Sequence, residues 1–123
     1  MANYGKPDYW EQRYLKDPDP FDWYQRYSNN PHLRNLIDKT VPRAAAILVP
    51  GCGSSRLSED MHADGYTGLI SNIDISRTAI DLMADRCRDR ASLVCACKVS
   101  AAAGVGRGWA RACPLTQPTR ILF

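Results

Sequence analysis

A short apolar run that ends in a glycine-rich turn constrains the fold more than any other feature of this 123-residue chain. Residues 44–50 are continuously apolar, and Pro42 and Gly51 bound the run, which is typical of a strand buried on both faces of a parallel sheet. Gly51 and Gly53 follow at once and allow a tight turn that a ligand can approach closely. The turn therefore predicts a binding site at the end of a buried strand.

Helices and strands alternate around this turn. Asn30 followed by Pro31 predicts a helix start, and Leu33, Leu36, Ile37 and Val41 give that helix an apolar face. A shorter helix is expected over residues 9–15 and a further helical turn over 21–27.

Behind the glycine turn, residues 56–64 predict a helix that Gly65 ends, residues 69–75 a second strand, and Ser76 the cap of a further helix. This order predicts an α/β fold with a parallel sheet and right-handed crossovers.

The residues most able to bind a ligand lie at the ends of the two predicted strands. Free N–H groups at the start of the helix after Gly53 favour a negative or electron-rich group. Asp74, at the end of the second strand, lies 21 residues after Gly53, where a carboxylate accepts hydrogen bonds from both hydroxyls of a ribose. The combination predicts a cofactor that contains a nucleoside.

Two cofactor classes fit this loop less well. A dinucleotide fingerprint requires a small residue three positions after Gly53, and Arg56 stands there. No GK[ST] sequence follows the strand, which excludes a P-loop nucleoside triphosphatase. S-adenosyl-L-methionine has a ribose but no phosphate, so its site needs less of a phosphate cradle, and this cofactor is expected.

Three blocks of the sequence, in the same order, resemble class I S-adenosylmethionine-dependent methyltransferases. They resemble in particular the methyltransferase-like group that includes lysine methyltransferases of translation elongation factor 1-alpha. The blocks are residues 9–14 (YWEQRY) with 21–24 (FDWY), residues 47–59 (ILVPGCGSSRLSE), and residues 72–76 (NIDIS). The resemblance covers about residues 8–86. It implies a Rossmann-like fold and, as the activity, methylation of protein lysines.

The resemblance also implies roles for individual residues. Gly51 and Gly53 would line the methionine part of the cofactor, Asp74 would hold the ribose, and Ile75 would lie beside the adenine. Three aromatic residues match positions that close over the cofactor in the family, although packing in the core would also account for them. These are Trp10, Tyr14 and Trp23.

The departures from the family concern the part of the fold that faces the substrate. Ser54 stands where the family usually has Asn. Only two strands are predicted, so the fold is expected to be truncated after the second strand, without the third strand and the acidic segment of the fourth. We therefore expect this chain to be an incomplete and inactive form of a methyltransferase. For the intact family, the resemblance implies a protein substrate such as elongation factor 1-alpha.

A break in composition divides the chain near residue 86. Residues 1–83 hold 9 basic and 11 acidic residues, whereas residues 84–123 hold 7 basic and 2 acidic residues and four of the five cysteines. We predict the front of a methyltransferase domain over residues 1–86 and a basic tail of low pattern, expected to be disordered, over 87–123. This tail is either a genuine extension or the product of an intron or a shifted reading frame.

Other functional classes find little support. The charges of the tail are too sparse to indicate a nucleic-acid partner. The cysteines form no CxxC pair, so no metal site is expected. No apolar run reaches the length of a membrane helix and no secretory signal is recognisable, which predicts a cytoplasmic protein. Two alternatives to a methyltransferase stay open, a non-catalytic fragment that binds a cofactor or partner and an NAD-binding Rossmann fragment.

Overall fold

A parallel sheet with helices packed on it forms the centre of the molecule. The computed structural model describes residues 3–97 and 119–121. The helices are α1 (Pro7–Lys16), α2 (Pro31–Thr40), α3 (Leu57–Ala63) and α4 (Arg77–Arg86), with a single 3₁₀ turn at Tyr27–Asn29. The strands are β1 (Ala46–Pro50), β2 (Ile70–Asp74), β3 (Leu93–Cys97) and β4 (Thr119–Ile121). The predicted Rossmann-like α/β class is confirmed.

The strand order is β3-β2-β1-β4, and every neighbouring pair is parallel. The register places Ile47 opposite Ile70 and Pro50 opposite Ile73. Since both strands run in the same direction, the glycine turn after β1 and the carboxyl end of β2 meet at one edge of the sheet. Cys52 in the turn donates a backbone hydrogen bond of 3.1 Å to the carbonyl oxygen of Ile73.

Besides the two strands predicted from the sequence, the sheet contains β3 and β4, and it is consistent with a truncated Rossmann-like fold. In β3, Leu93 pairs with Ile70 and Cys97 with Asp74, and β4 pairs with β1. An Ala- and Cys-rich run such as that of β3 does not by itself discriminate between a strand and a helix. Backbone pairing with β2, which is a long-range interaction, makes this segment a strand.

The predicted disorder of residues 87–123 falls mainly outside the described residues. The structure describes residues 87–97 and 119–121 of this segment. The division of the chain at residue 86 stays a prediction, although β3 extends the sheet past it.

Two helix starts follow the sequence prediction closely. The Asn30 side chain accepts a hydrogen bond of 3.1 Å from the Leu33 amide, and Pro31 occupies the first turn of α2. The Ser76 hydroxyl accepts one of 3.1 Å from the Ala79 amide at the start of α4. Each cap satisfies a backbone donor that has no partner inside the helix.

The core lies between the sheet and its helices. It is formed by apolar side chains of β1 and β2 with those of α3 and α4, and by residues of α2 and the 3₁₀ turn that close one side. Leu36 differs from its predicted place on the buried face of α2, because it is 60% exposed. The buried residues of the core are Tyr27, Ile37, Val41, Ile47, Val49, Cys52, Met61, Tyr66, Ile70, Ile80, Met83, Cys87 and Leu93.

Residues 21–27 do not form the expected helical turn. Tyr24 has a φ of 63°, and the Gln25 amide donates a hydrogen bond of 2.7 Å to the carbonyl oxygen of Trp23. A bond from residue i+2 to residue i around a positive φ is a γ-turn of the rare, strained kind. The 3₁₀ turn begins only at Tyr27.

Among the described residues, no helix is both long enough and apolar enough to cross a membrane.

Candidate cofactor site

A cavity of about 500 Å³ opens at the carboxyl ends of β1 and β2. A volume of this size is typical of small-molecule sites. Its lining combines residues from the N-terminal segment, the glycine turn and the end of β2. All of the site residues predicted from the sequence except Gly53 contribute to it. The complete lining is Trp10, Tyr14, Trp23, Pro50, Gly51, Ile73, Asp74 and Ile75.

Asp74 is held in place by backbone donors on both of its carboxylate oxygens. Oδ2 accepts a hydrogen bond of 2.8 Å from the Gly53 amide, and Oδ1 accepts one of 2.8 Å from the Ser76 amide. The residue is 7% exposed. Because a carboxylate oxygen has two lone pairs, each oxygen keeps one for a ligand hydroxyl. The arrangement fits the two adjacent hydroxyls of a ribose.

Gly51 and Gly53 both have a positive φ, 62° and 51°, which favours glycine at each position. A Cβ at Gly51 would meet no atom within 4 Å, so the backbone faces open space where it lines the cavity. A Cβ at Gly53 would instead lie closer than 3.0 Å to the hydroxyl oxygen of Tyr14. Gly53 thus does not line the cavity itself, and it permits close contact between the turn and α1.

Aromatic rings form the wall of the cavity opposite the strands. The rings of Trp10 and Tyr14 stack with centroids 6.5 Å apart, and Trp23 meets Trp10 edge to face at 6.5 Å. The indole N–H of Trp10 donates a hydrogen bond of 2.8 Å to the carbonyl oxygen of Tyr4. Burial, helped by the charge of Asp74, raises the pKa of Tyr14 to about 12, so its phenol stays neutral. This wall suits the faces of a planar, apolar group.

Two serines of the glycine turn hold the N-terminal segment over the cavity. The Ser54 hydroxyl donates a hydrogen bond of 3.2 Å to the carbonyl oxygen of Asp19 and accepts one of 3.2 Å from the Phe21 amide. The Ser55 hydroxyl donates to the carboxylate of Asp22. Ser54, the residue at which the sequence departs from the family it resembles, therefore has a structural role that the sequence alone did not indicate.

Glu11 is a second residue that sequence reasoning missed. Its carboxylate accepts hydrogen bonds from the Ser76 hydroxyl at 2.7 Å, from the Thr78 amide at 3.3 Å and from the Thr78 hydroxyl. It therefore anchors α1 to the N-terminus of α4, where a negative charge is favourable. No local pattern could have indicated this contact, because the partners lie 65 and 67 positions away.

The Glu11 anchor predicts a pH-dependent contribution to stability. Hydrogen bonds from Thr78 and then Ser76 lower the pKa of Glu11 below its ordinary value of 4.5. A lowered pKa stabilises the fold above the unfolded pKa, and this contribution is lost as the pH falls through the folded value. We expect Glu11→Gln to lower the free energy of unfolding by about 1.5 kcal/mol at neutral pH.

The difference between wild type and Glu11→Gln should shrink as the pH falls below 4.5, the ordinary pKa of this group. Urea unfolding across that range measures it. The exposed Asp85→Asn, which breaks only a surface ion pair with Arg88, is the control. A difference between wild type and Glu11→Gln that is the same at every pH would contradict the anchor.

Arg86 completes the support of the glycine turn from the end of α4. Its guanidinium donates to the carbonyl oxygens of Ser54 at 3.0 Å and Ser55 at 2.9 Å and pairs with Glu59 at 2.7 Å. Both charged side chains are largely shielded from solvent, with 20% and 14% of their surfaces exposed. Arg86 therefore supports the turn without being one of the residues that line the cavity.

The described residues offer no activated nucleophile at this site. Burial, followed by the charge of Asp74, raises the pKa of Cys52 to about 12, so this residue is a neutral thiol near pH 7. In the described ranges, no group of three or more His, Cys, Asp or Glu side chains is arranged to hold a metal ion. The geometry of the described residues supports binding and orientation of a ligand at this site.

The parallel sheet, with the Asp74 carboxylate beside a glycine turn, is compatible with a nucleoside ligand, and sequence comparisons indicate which proteins the chain resembles. No family model matches the chain. It is 36% identical over 88 residues to an eEF1A lysine and N-terminal methyltransferase of Danio rerio, an alignment that covers 71% of this chain and 12% of the relative. A homologue of that enzyme in Drosophila melanogaster is 38% identical over 81 residues, which cover 65% of this chain and 11% of the relative.

A shorter relative matches as well. The EEF1A lysine methyltransferase 4 of Bos taurus is 31% identical over 87 residues, which cover 69% of this chain and 32% of the relative. These similarities confirm the resemblance to class I S-adenosylmethionine-dependent methyltransferases of the group that acts on elongation factor 1-alpha. The chain spans about 12% of the length of the first relatives it matches.

Proposed function

We propose that the cavity binds S-adenosyl-L-methionine and that the chain is the cofactor-binding part of a protein-lysine methyltransferase. The observation that supports this most strongly is the convergence of residues far apart in sequence, Trp10, Trp23, Gly51 and Asp74, on one cavity. The oriented carboxylate provides acceptors for a ribose and the aromatic wall provides a face for an adenine. Both features support S-adenosylmethionine as the ligand.

When bound, S-adenosylmethionine supplies an electrophilic methyl group on a sulfonium. The contribution of the chain is to bind and orient. Asp74 would hold the ribose through the acceptor position that each of its oxygens keeps, and Gly51 would allow close approach of the backbone. The rings of Trp10 and Tyr14 exclude water from one side. Positioning of an acceptor in line with the methyl group accounts for much of the rate of such transfers.

The acceptor is proposed from the relatives. Their names identify them as methyltransferases of eEF1A, so we propose a lysine of a protein such as elongation factor 1-alpha as the methyl acceptor. We further propose a cytoplasmic location, where that acceptor would be encountered. Neither Tyr14 nor Cys52 is ionised near pH 7, so neither can remove the proton of the amine.

We also propose that this chain binds the cofactor but does not catalyse methyl transfer. The side of the cavity at which an acceptor would enter is open to solvent, since Trp23 is 52% and Ile75 43% exposed. Methyl transfer requires a dry pocket, which would need further protein on that side. Methylation of elongation factor 1-alpha by the purified chain, followed with a radiolabelled methyl group, would contradict this inactivity.

Calorimetry distinguishes the proposed cofactor from a dinucleotide. The chain is expected to bind S-adenosylmethionine and its demethylated product S-adenosylhomocysteine saturably and to bind NAD at least about tenfold more weakly, which corresponds to about 1.4 kcal/mol. The reason is Arg56 at the position where a dinucleotide requires a small residue. Preferential binding of NAD would replace the proposal by an NAD-binding Rossmann fragment.

A further inference from the structure

Tyr24 combines a strained backbone with a side chain that contacts almost nothing in the chain. Its φ is 63°, and it is the one non-glycine residue with a positive φ among those that the structure describes. A left-handed conformation is unfavourable for a bulky side chain, whereas glycine adopts it freely. The residue is nevertheless 99% exposed, so its ring gains no packing in return.

The γ-turn begins at Trp23, a residue of the cavity lining. Trp23, which precedes Tyr24, lines the cavity and is itself 52% exposed, and Ile75 on the opposite strand end is 43% exposed. Phe21 meets Trp23 edge to face at 5.2 Å and is 43% exposed. An exposed aromatic surface of this kind at the mouth of a site indicates an interaction surface.

Carboxylates accompany the aromatic rings on the same segment. Asp19 and Asp22 lie just before Trp23, and neither takes part in an ion pair within the described part of the chain. The nearby Arg26 is already paired with Asp60. Arg13 is paired with Asp17 and lies over the Phe21 ring, 5.2 Å from its centroid, so Trp23 and Tyr24 are the rings left to a ligand. The rim therefore offers aromatic faces and negative charge together, which suits a cationic side chain with an apolar stem.

We propose that Tyr24 is a specificity-determining residue that contacts the lysine-bearing segment of the methyl-accepting protein at the rim of the cavity. The proposal rests on the proposed function, because it assumes an acceptor that approaches this cavity. The strained turn holds the ring outward, where it flanks the stem of the lysine as that side chain crosses the rim. Strain that persists at a surface position is typical of sites that recognise a ligand.

The test measures two affinities with the full chain. S-adenosylhomocysteine is titrated first by calorimetry, and purified elongation factor 1-alpha is then titrated into the chain saturated with it. Tyr24→Ala and Tyr24→Gly should weaken binding of the protein at least about fivefold, while Tyr24→Phe keeps it within about twofold. All three should bind S-adenosylhomocysteine as the wild type does. Leu36→Ala, another exposed apolar residue, is the matched control.

The turn provides a readout of folding that is independent of binding. Since glycine relieves the strain at this φ, Tyr24→Gly should melt at or above the temperature of the wild type while it loses affinity for the protein. Unchanged affinity of Tyr24→Ala for elongation factor 1-alpha, or no saturable binding of it by the wild type, would overturn the proposal. Failure of the wild type to bind S-adenosylhomocysteine would instead overturn the proposed function.

Discussion

Replacement of Asp74 by alanine is expected to weaken the binding of S-adenosylmethionine by about 100-fold, or about 3 kcal/mol. Among the described residues that line the cavity, this carboxylate is the one acidic or basic side chain, and each of its oxygens keeps one acceptor position beside its backbone donor. Loss of the side chain removes both acceptors for the ribose hydroxyls. It also leaves the buried amides of Gly53 and Ser76 without their partner.

The conservative variant separates these two effects. Asp74→Asn keeps one acceptor oxygen, so it should bind about tenfold more weakly than the wild type. Asp81→Asn is the control, because Asp81 lies on the exposed face of α4 in a surface pair with Arg77. Calorimetry is carried out well below the melting temperature of each variant. Binding by Asp74→Ala within about threefold of the wild type would show that the carboxylate does not hold the cofactor.

Replacement of Gly68 by alanine should lower the free energy of unfolding by about 3 kcal/mol, a large part of the stability of a small domain. A Cβ at this position would lie closer than 3.0 Å to the carbonyl group of Ala45 and to the carbonyl oxygen of Ala44. These are backbone atoms just before β1, and they cannot rotate away as a side chain does. The loop is also fixed by the Gly68 amide, which donates to the Arg43 carbonyl oxygen at 3.3 Å.

The contact lies just before the first paired residues of β1 and β2, Ile47 and Ile70. Denaturant unfolding measures the effect on stability. Gly5→Ala is the control, since no atom lies within 4 Å of a Cβ at that position. Equal stability of the two variants would contradict the close packing of the loop on the start of β1.

The sequence was sufficient where the signals were local. The cap at Asn30, the cap at Ser76 and the turn at Gly51 depend on residues within three positions, and the structure has them as predicted. The ends of β1 and β2 followed from the apolar runs and the glycine, so the location of the cavity followed as well.

The predictions failed where distant residues decide the outcome. The strand β3 depends on its backbone ladder with β2, and an Ala- and Cys-rich run does not reveal that partner. Glu11 and Arg86 support the site through contacts with partners at least 27 positions away, for which the sequence offers no pattern. The γ-turn at Tyr24 was missed because the residue itself disfavours that conformation.

The central claim, that S-adenosylmethionine occupies the cavity between the aromatic wall and β2, is tested most directly by the indole N–H resonances of the tryptophans. Trp10 and Trp23 line the cavity, and Trp109 lies outside the described residues. Substitution of each tryptophan by phenylalanine assigns the three signals. Titration with S-adenosylmethionine should shift the resonances of Trp10 and Trp23 saturably and with one common dissociation constant. A titration in which neither resonance moves would contradict the account.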